Sequence, residues 1–412
     1  MSAKAETAIR GVGRASLDTL LERSGVGSIS SQARYDALSR YEELPVRVAI
    51  RGGRTWKQDL EKLDLTDLAV GDDDAVEFGL EPSPAARRSG VTIERFSLAR
   101  ERHRDAFERA FGRAVDTRDD KFASLALAFA RTGLFIDVPD GVVLDEPLDA
   151  GFQGRESAVF SYTLVSVGAG GRATVIERVR SESGTPLVCG IVEIVLAERA
   201  HLTYAVDQRA AATTRLIVTR RASLAADAQL EIACAELGGL HAVSRVRAVE
   251  RAPGARVQTV ALFFSDGAQH VDLESETIHA AGNTQSQTIV RSAGTDRGQG
   301  RYIGNIKILA DAHGADASLR DDALLLSAGA HIDSVPALEI AANDVRAFHG
   351  ATVGAISEEE LFYAQTRGIP RAEAERMIAL GFFEPAVSRF PTEALRDELR
   401  VALENKLGAK AV

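Results

Sequence analysis

Residues 197–206 (AERAHLTYAV), 225–234 (AADAQLEIAC) and 252–261 (APGARVQTVA) share one plan. Each opens on small or charged residues suited to a tight corner. Each then runs into alternating apolar and polar positions, the two-residue period of a strand. Small residues occupy the corner positions Gly171, Ala200, Ala228, Gly254 and Gly282. Their spacing of roughly 26–29 residues is the length of one coil in a stacked solenoid. A β-sandwich, the competing arrangement, would place hairpins about every dozen residues. The corner spacing favours the solenoid.

Working outward, the β character spans about 200 residues, starting at LFIDVPDGVVL (134–144) and ending near EIAANDV (339–345). Helical periodicity precedes it in SLDTLLERSGVG (16–27), SSQARYDALSRYEEL (30–44), SLARERHRDAFERAFGRAV (97–115) and DDKFASLALAFARTG (119–133). The acidic stretch GDDDAVEFGLEPSPAARRSG (71–90) reads as a surface loop. Helical spacing returns in SEEELFYAQTRG (357–368), PRAEAERMIALGFF (370–383) and PTEALRDELRVALENKLG (391–408). The predicted organisation is a helical N-terminal region with an irregular acidic loop at 1–133, a β core at 134–345 and a helical C-terminal domain at 346–412.

Composition narrows the function classes. With 45% hydrophobic and 26% charged residues the chain of 412 is globular. Its net charge of −10 argues against broad nucleic-acid binding, which requires a basic surface. Cys189 and Cys234 are the only cysteines, so no disulfide framework and no four-cysteine metal site can be built within the chain. No stretch of about 18 apolar residues is present, and the first residues lack an apolar signal core. A cytoplasmic protein without membrane or nucleic-acid partners is expected.

Candidate chemistry is sparse. No HExxH, P-loop, GxGxxG or GxSxG pattern occurs. Four histidines, His270, His279, His313 and His331, could approach one another on stacked coils. Strand alternation puts Asp272, Glu274 and Glu276 on one face, a row that suits a β-helix lyase or hydrolase acting on polysaccharide. The plainer reading of that row is a solvated sheet face.

The stretch HGATVGAISEEELFYAQTRGIP (349–370) is more informative. His349 reads as a turn residue at a strand-to-helix corner. Ser357 with Glu360 predicts a capping box, Glu358 and Glu359 suit the positive end of the helix dipole, and Gly368 with Pro370 predicts the helix end. Leu361, Phe362 and Tyr363 are adjacent, so they cannot all face one core, and at least one of them is expected to point toward a neighbouring domain or a partner.

Three stretches carry a resemblance. FASLALAFARTGLFIDVPDGVVLDEPL (122–148) is similar to the entry into the β domain of the SufB/SufD family of iron–sulfur cluster assembly scaffolds. The block from LRDDALLL to IALGFF (319–383) resembles that family's C-terminal signature almost throughout. ELPV (43–46) followed by TWKQDLEKLDL (55–65), with Trp56, is similar to a SufD N-terminal element.

The resemblance implies a mostly β fold, a right-handed parallel β-helix with helical N- and C-terminal parts. It implies a non-catalytic scaffold of the SufD type, paired with a SufB-like chain, or with itself as a homodimer, through the β-helix end near residues 324–340. It also implies a SufC-like ABC ATPase bound at the C-terminal helices. Glu358, Glu359, Leu361, Phe362, Tyr363 and Arg367 are then the expected docking residues, supported by Phe382 and Phe383. No cofactor is expected to be held stably. His349 matches a family histidine implicated in holding a transient iron–sulfur cluster shared with SufB. Many relatives carry a cysteine two positions earlier, where this chain has Ala347.

Overall fold

The computed structural model of the chain describes residues 9–45, 63–66, 76–79, 86, 88–155 and 157–408. The Trp56 segment up to residue 62 lies outside these. Most of the described residues build a parallel β-solenoid of about 8 turns, flanked by helices at both ends of the chain.

The strands form two nine-stranded sheets. From β4 (Leu148–Gly154) the even-numbered strands stack in one sheet, ending with β16 (Asp316–Leu325) and β18 (Arg346–Ala355). The odd-numbered strands from β3 (Leu134–Val138) stack in the other, ending with β15 (Gln299–Ile308) and β17 (His331–Ile340). Consecutive strands of a sheet are parallel and in register; Gln229–Glu236 pairs with His201–Gln208 on one side and Arg256–Phe263 on the other.

The three quoted segments are therefore successive coils. Their corners form a column of left-handed residues at Gly170, Arg199, Asp227, Gly254, Asn283 and Gly314, with φ between 55° and 76°. The amide of each of the first three donates to a carbonyl of the next coil, Glu198, Ala226 and Pro253 in turn. Ala200 and Ala228 directly follow two of these corners and are fully buried. Small side chains are needed there because the chain turns inward at once.

Alternation divides each sheet into an inner and an outer row. The inner rows of both sheets meet in one core, as with Val257, Ala261 and Phe263 against Val271 and Leu273. The outer face of the odd sheet is covered in its early coils by N-terminal helices: α1 (Arg14–Ser24), α2 (Ser31–Glu43), α3 (Phe96–Arg102), α4 (Arg104–Ala110) and α5 (Lys121–Phe129). Asp120 pins α5. Its Oδ1 accepts from the amides of Phe122 and Ala123, both at 3.0 Å, while Oδ2 accepts from Thr219 at 3.0 Å and Arg221 at 3.2 Å. Burial alone would raise the Asp120 carboxyl, but Arg245 and Arg221 hold it below its ordinary value.

The C-terminal helices α6 (Glu358–Thr366), α7 (Arg371–Val387) and α8 (Glu393–Gly408) follow β18. The stripe Leu395, Leu399 and Leu403 packs on the outer face of the even sheet, where Ala205, Ala233 and Ala235 permit close approach. Lys406 reaches Asp266 at 2.9 Å, and Arg209 donates to the Glu398 carbonyl at 3.2 Å.

Three expectations change. The acidic stretch at 71–90 contains a strand, β1 (Val76–Gly79), which pairs antiparallel with β4. A second short strand, β2 (Thr92–Arg95), pairs antiparallel with β3, so the N-terminal region is not purely helical. The β core does not stop at residue 345. Arg346–Ala355 is its last strand, in register with Asp316–Leu325. The glycines of HGATVG read as turn formers, yet Gly350 and Gly354 lie on the outer row of that strand.

Candidate functional site at the open end

β17 and β18 are the last strands of their sheets, each bonded on one side only. Val335, Ile340, Phe348 and Val353 are exposed there, Phe348 at 62%. The register places His349 beside Leu319, a fully buried member of the core, and Ala351 beside Asp321. His349 consequently belongs to the inward-facing row and is exposed because no further coil among the described residues covers it. This corrects the turn assignment: His349 lies within a strand, on the uncovered end of the core. Ala347 occupies the same row, half-buried against the core.

Asp321 is the polar exception on this row. It is fully buried; Ser334 of β17 donates to its Oδ2, and its Oδ1 has no hydrogen-bond partner among the described residues. Burial pushes its carboxyl up to about 6, against the Ser334 hydrogen bond. The sequence carried a signal for it, since LRDDALLL puts a carboxylate between Leu319 and Ala323 on an otherwise apolar period-2 row.

Beyond β18 the chain enters α6. Ser357 is its N-cap but makes no side-chain capping bond, so the expected capping box is not formed. Glu358 instead pairs with Arg371 of α7 at 2.7 Å. The helix ends as expected. Gly368 has φ +84°, its amide donates to Gln365, and the Ile369 amide reaches back to Ala364. Leu361 is buried, whereas Phe362 and Tyr363 are 68% and 62% exposed. Glu359, Tyr363 and Arg367 line a groove of about 480 Å³ with Met377 and Ile378 of α7. The Arg367 guanidinium lies 5.2 Å from the Tyr363 ring centre. Phe382 is half-buried, 5.4 Å from Arg291, and Phe383 is fully interior, so Phe383 supports the helices from within and presents no surface.

The carboxylate row reads differently once the neighbouring strands are present. Asp272 is buried and bonds Arg301 at 2.6 Å and His270 at 3.1 Å. Arg245 donates to Glu274 at 3.0 Å, and Glu276 is bonded by Arg247 and Asn305. Each cation stands at the register-paired position of an adjoining strand. The row is an ion-pair ladder across the sheet, with no free carboxylate pair to work on a sugar.

The histidines do not gather either. Among the described residues no group of three or more His, Cys, Asp or Glu side chains is placed to hold a metal ion. Sequence reasoning found no Ser/His/acid set, but the fold makes one. Within the core, His279 Nδ1 lies 2.6 Å from Glu250 and Nε2 lies 2.9 Å from Ser286 Oγ. His279 and Glu250 are fully buried and Ser286 nearly so, which denies a substrate access and leaves the trio a structural network. Cys189 and Cys234 are buried as well, and burial pushes the Cys234 thiol up to about 12. No helix among the described residues is long and apolar enough to cross a membrane.

Comparison with known proteins agrees with this architecture. Residues 151–382 match the SUF system FeS cluster assembly SufBD core domain, and residues 39–150 match the SufBD protein N-terminal region. Iron–sulfur cluster assembly SufBD family proteins of Staphylococcus saprophyticus, Staphylococcus epidermidis and Staphylococcus aureus are each 30% identical to the chain over 308 residues. That span covers 74% of this chain and 66% of each relative, just under two thirds of their length. A solenoid matched across its core, with the preceding region matched separately, identifies the chain as a member of the SufBD family of iron–sulfur cluster assembly proteins.

Proposed function

We propose that the chain is a SufD-type, non-catalytic scaffold subunit of a cytoplasmic iron–sulfur cluster assembly complex. In this reading the open end joins a SufB-like chain, or a second copy of itself, and α6 with the adjoining face of α7 receives a SufC-like ATPase. The single observation that carries it is the juxtaposition at the end of the solenoid. Two unpaired strand edges, an exposed inward-row histidine and a helix with two exposed aromatics lie within one short segment of chain, residues 331–367.

Unpaired edges with exposed apolar groups favour strand-to-strand association. Phe362 and Tyr363 supply the large amphipathic contacts that anchor interfaces, and the acidic first turn of α6 adds charge. His349 would contribute one imidazole nitrogen to a nascent cluster, the cargo of assembly, as histidine does in Rieske centres. A single imidazole does not hold a cluster, and with Ala347 beside it the remaining ligands would come from the partner.

Two experiments test this. A Phe362→Ala, Tyr363→Ala double variant is expected to lose co-purification with the ATPase while remaining folded, and undiminished binding would remove the docking assignment. A His349→Ala variant that still forms the complex is expected to fail in cluster assembly in cells. Normal assembly would leave His349 a surface residue of the interface.

A further inference from the structure

The inward row of the last two even strands contains one buried polar group that the fold leaves half satisfied. Asp321 spends Oδ2 on Ser334, across the core on β17, and has no partner for Oδ1 among the described residues. A fully buried carboxylate oxygen without a donor is costly and calls for an explanation. The neighbouring groups do not relieve it. On its own sheet it lies between Val290 of β14 (Gln285–Gly294) and Ala351, both without polar side-chain atoms. From the odd sheet the Tyr302 hydroxyl is engaged with Ser275 at 2.6 Å. Arg291, the nearest cation, pairs with Asp322 on the outer face.

Two groups on this row remain: the Ser292 hydroxyl of β14, buried and without a partner among the described residues, and His349, the one that faces the open end. It shares the inward row with Ala351, two positions away, on the strand directly beside Asp321. Strands about 4.8 Å apart with a rise of about 3.3 Å per residue put the two Cα atoms about 8 Å apart on one face. Two side chains of this length can close that gap. Ala351 and Leu319 hold the other two corners of that cell, and the approach passes on the Ala351 side, where there is too little bulk to intervene.

We propose that Asp321 is the positioning residue of His349: Oδ1 accepts a hydrogen bond from the imidazole Nδ1–H, turning Nε2 outward through the open end. This deepens the reading of His349 given above and rests on it. Histidines that ligate metals almost always donate their second ring N–H to a carboxylate or carbonyl, which fixes the tautomer and the ring plane and raises the basicity of the ligating nitrogen. The partner carboxylate here is supplied from beneath the last coil, where water and competing cations are excluded. The raised Asp321 carboxyl agrees with a group short of donors.

The test uses the isolated full chain and nitrogen-15 NMR of its histidine rings at pH 8, with His349→Gln to assign the resonance. The wild type is expected to show His349 mainly as the Nδ1–H tautomer. Asp321→Ala should return it to the ordinary preference for Nε2–H, and Asp321→Asn should shift it part of the way. An unchanged amide spectrum elsewhere certifies the fold of each variant. A His349 tautomer identical in the wild type and both variants overturns the proposal. The cluster-assembly result for His349→Ala is independent: its failure with no tautomer shift leaves the functional reading standing without Asp321. A tautomer shift with normal assembly would leave the dyad and remove its link to the cluster.

Discussion

The two ends of the solenoid are treated in opposite ways. At the first coils, both sheets are finished by antiparallel strands, β1 on β4 and β2 on β3, and the odd sheet is roofed by α1–α5. The buried Asp120 there accepts from five donors, the amides of Phe122 and Ala123 and the side chains of Thr219, Arg221 and Arg245. At the last coil no described residue finishes β17 or β18, apolar side chains face outward, and Asp321 Oδ1 has no hydrogen-bond partner among the described residues. A solenoid must cap its ends to remain a monomer. One end is capped by the chain itself, and at the other no described residue caps the last coil.

The largest expected effect breaks the closed end. Asp120→Ala takes a buried carboxylate away from the Arg221 and Arg245 guanidinium groups and removes the cap of α5, so it should cost about 3 kcal/mol in chemical denaturation. A loss below about 1 kcal/mol would show that the N-terminal roof is held by apolar packing alone. Because the Asp120 carboxyl is depressed, its contribution is present above the ordinary aspartate pKa. That contribution is lost as pH falls through the lower folded value.

Asp321 sharpens the contrast with the opposite sign. Its folded pKa of about 6 lies above the ordinary 3.8, so the folded state holds the proton more tightly. Stability attributable to this group therefore falls as pH rises between those values, by about 3 kcal/mol in total. In a His349→Ala chain, which lacks the proposed donor, Asp321→Asn should add up to that amount of stability at pH 7.5, with the difference vanishing near pH 4. Equal denaturation midpoints at both pH values in that background would show that Asp321 has another partner in solution.

Next comes the exposed edge. Phe348→Asp with Val353→Asp should leave the unfolding midpoint nearly unchanged, because both side chains face solvent. The same pair should weaken end-on association about 100-fold in sedimentation, since charges on an edge strand oppose pairing. Association at wild-type strength would place the interface elsewhere. The smallest effect belongs to α6. Ser357→Ala should cost only a few tenths of a kcal/mol, below the usual cap value of about 1, because its hydroxyl makes no capping bond.

Much of this was legible in the chain. The coil length was visible because every coil repeats the same corner and the same period-2 pattern, and both are local properties. The helix end at Gly368 was visible for the same reason. Errors arose where a local signal met a nonlocal partner. The glycines of residues 349–354 favour a turn in isolation, but ten pairings with β16 hold them extended. The Ser357 and Glu360 pattern favours a capping box, which does not form; Glu358 at the same turn is taken up by Arg371 instead. The carboxylates of β13 (His270–His279) looked available because their arginines lie about 29 residues away, one coil in either direction.

Periodicity and composition account for the stacked coils, the flanking helices and an apolar helix face in excess of what one core can absorb. The fold alone sets which end stays open, that His349 sits on the inward row of the final strand, and that Asp321 lies beneath it. Those facts depend on register between strands and on which coil is last. Neither is written in any local stretch of residues.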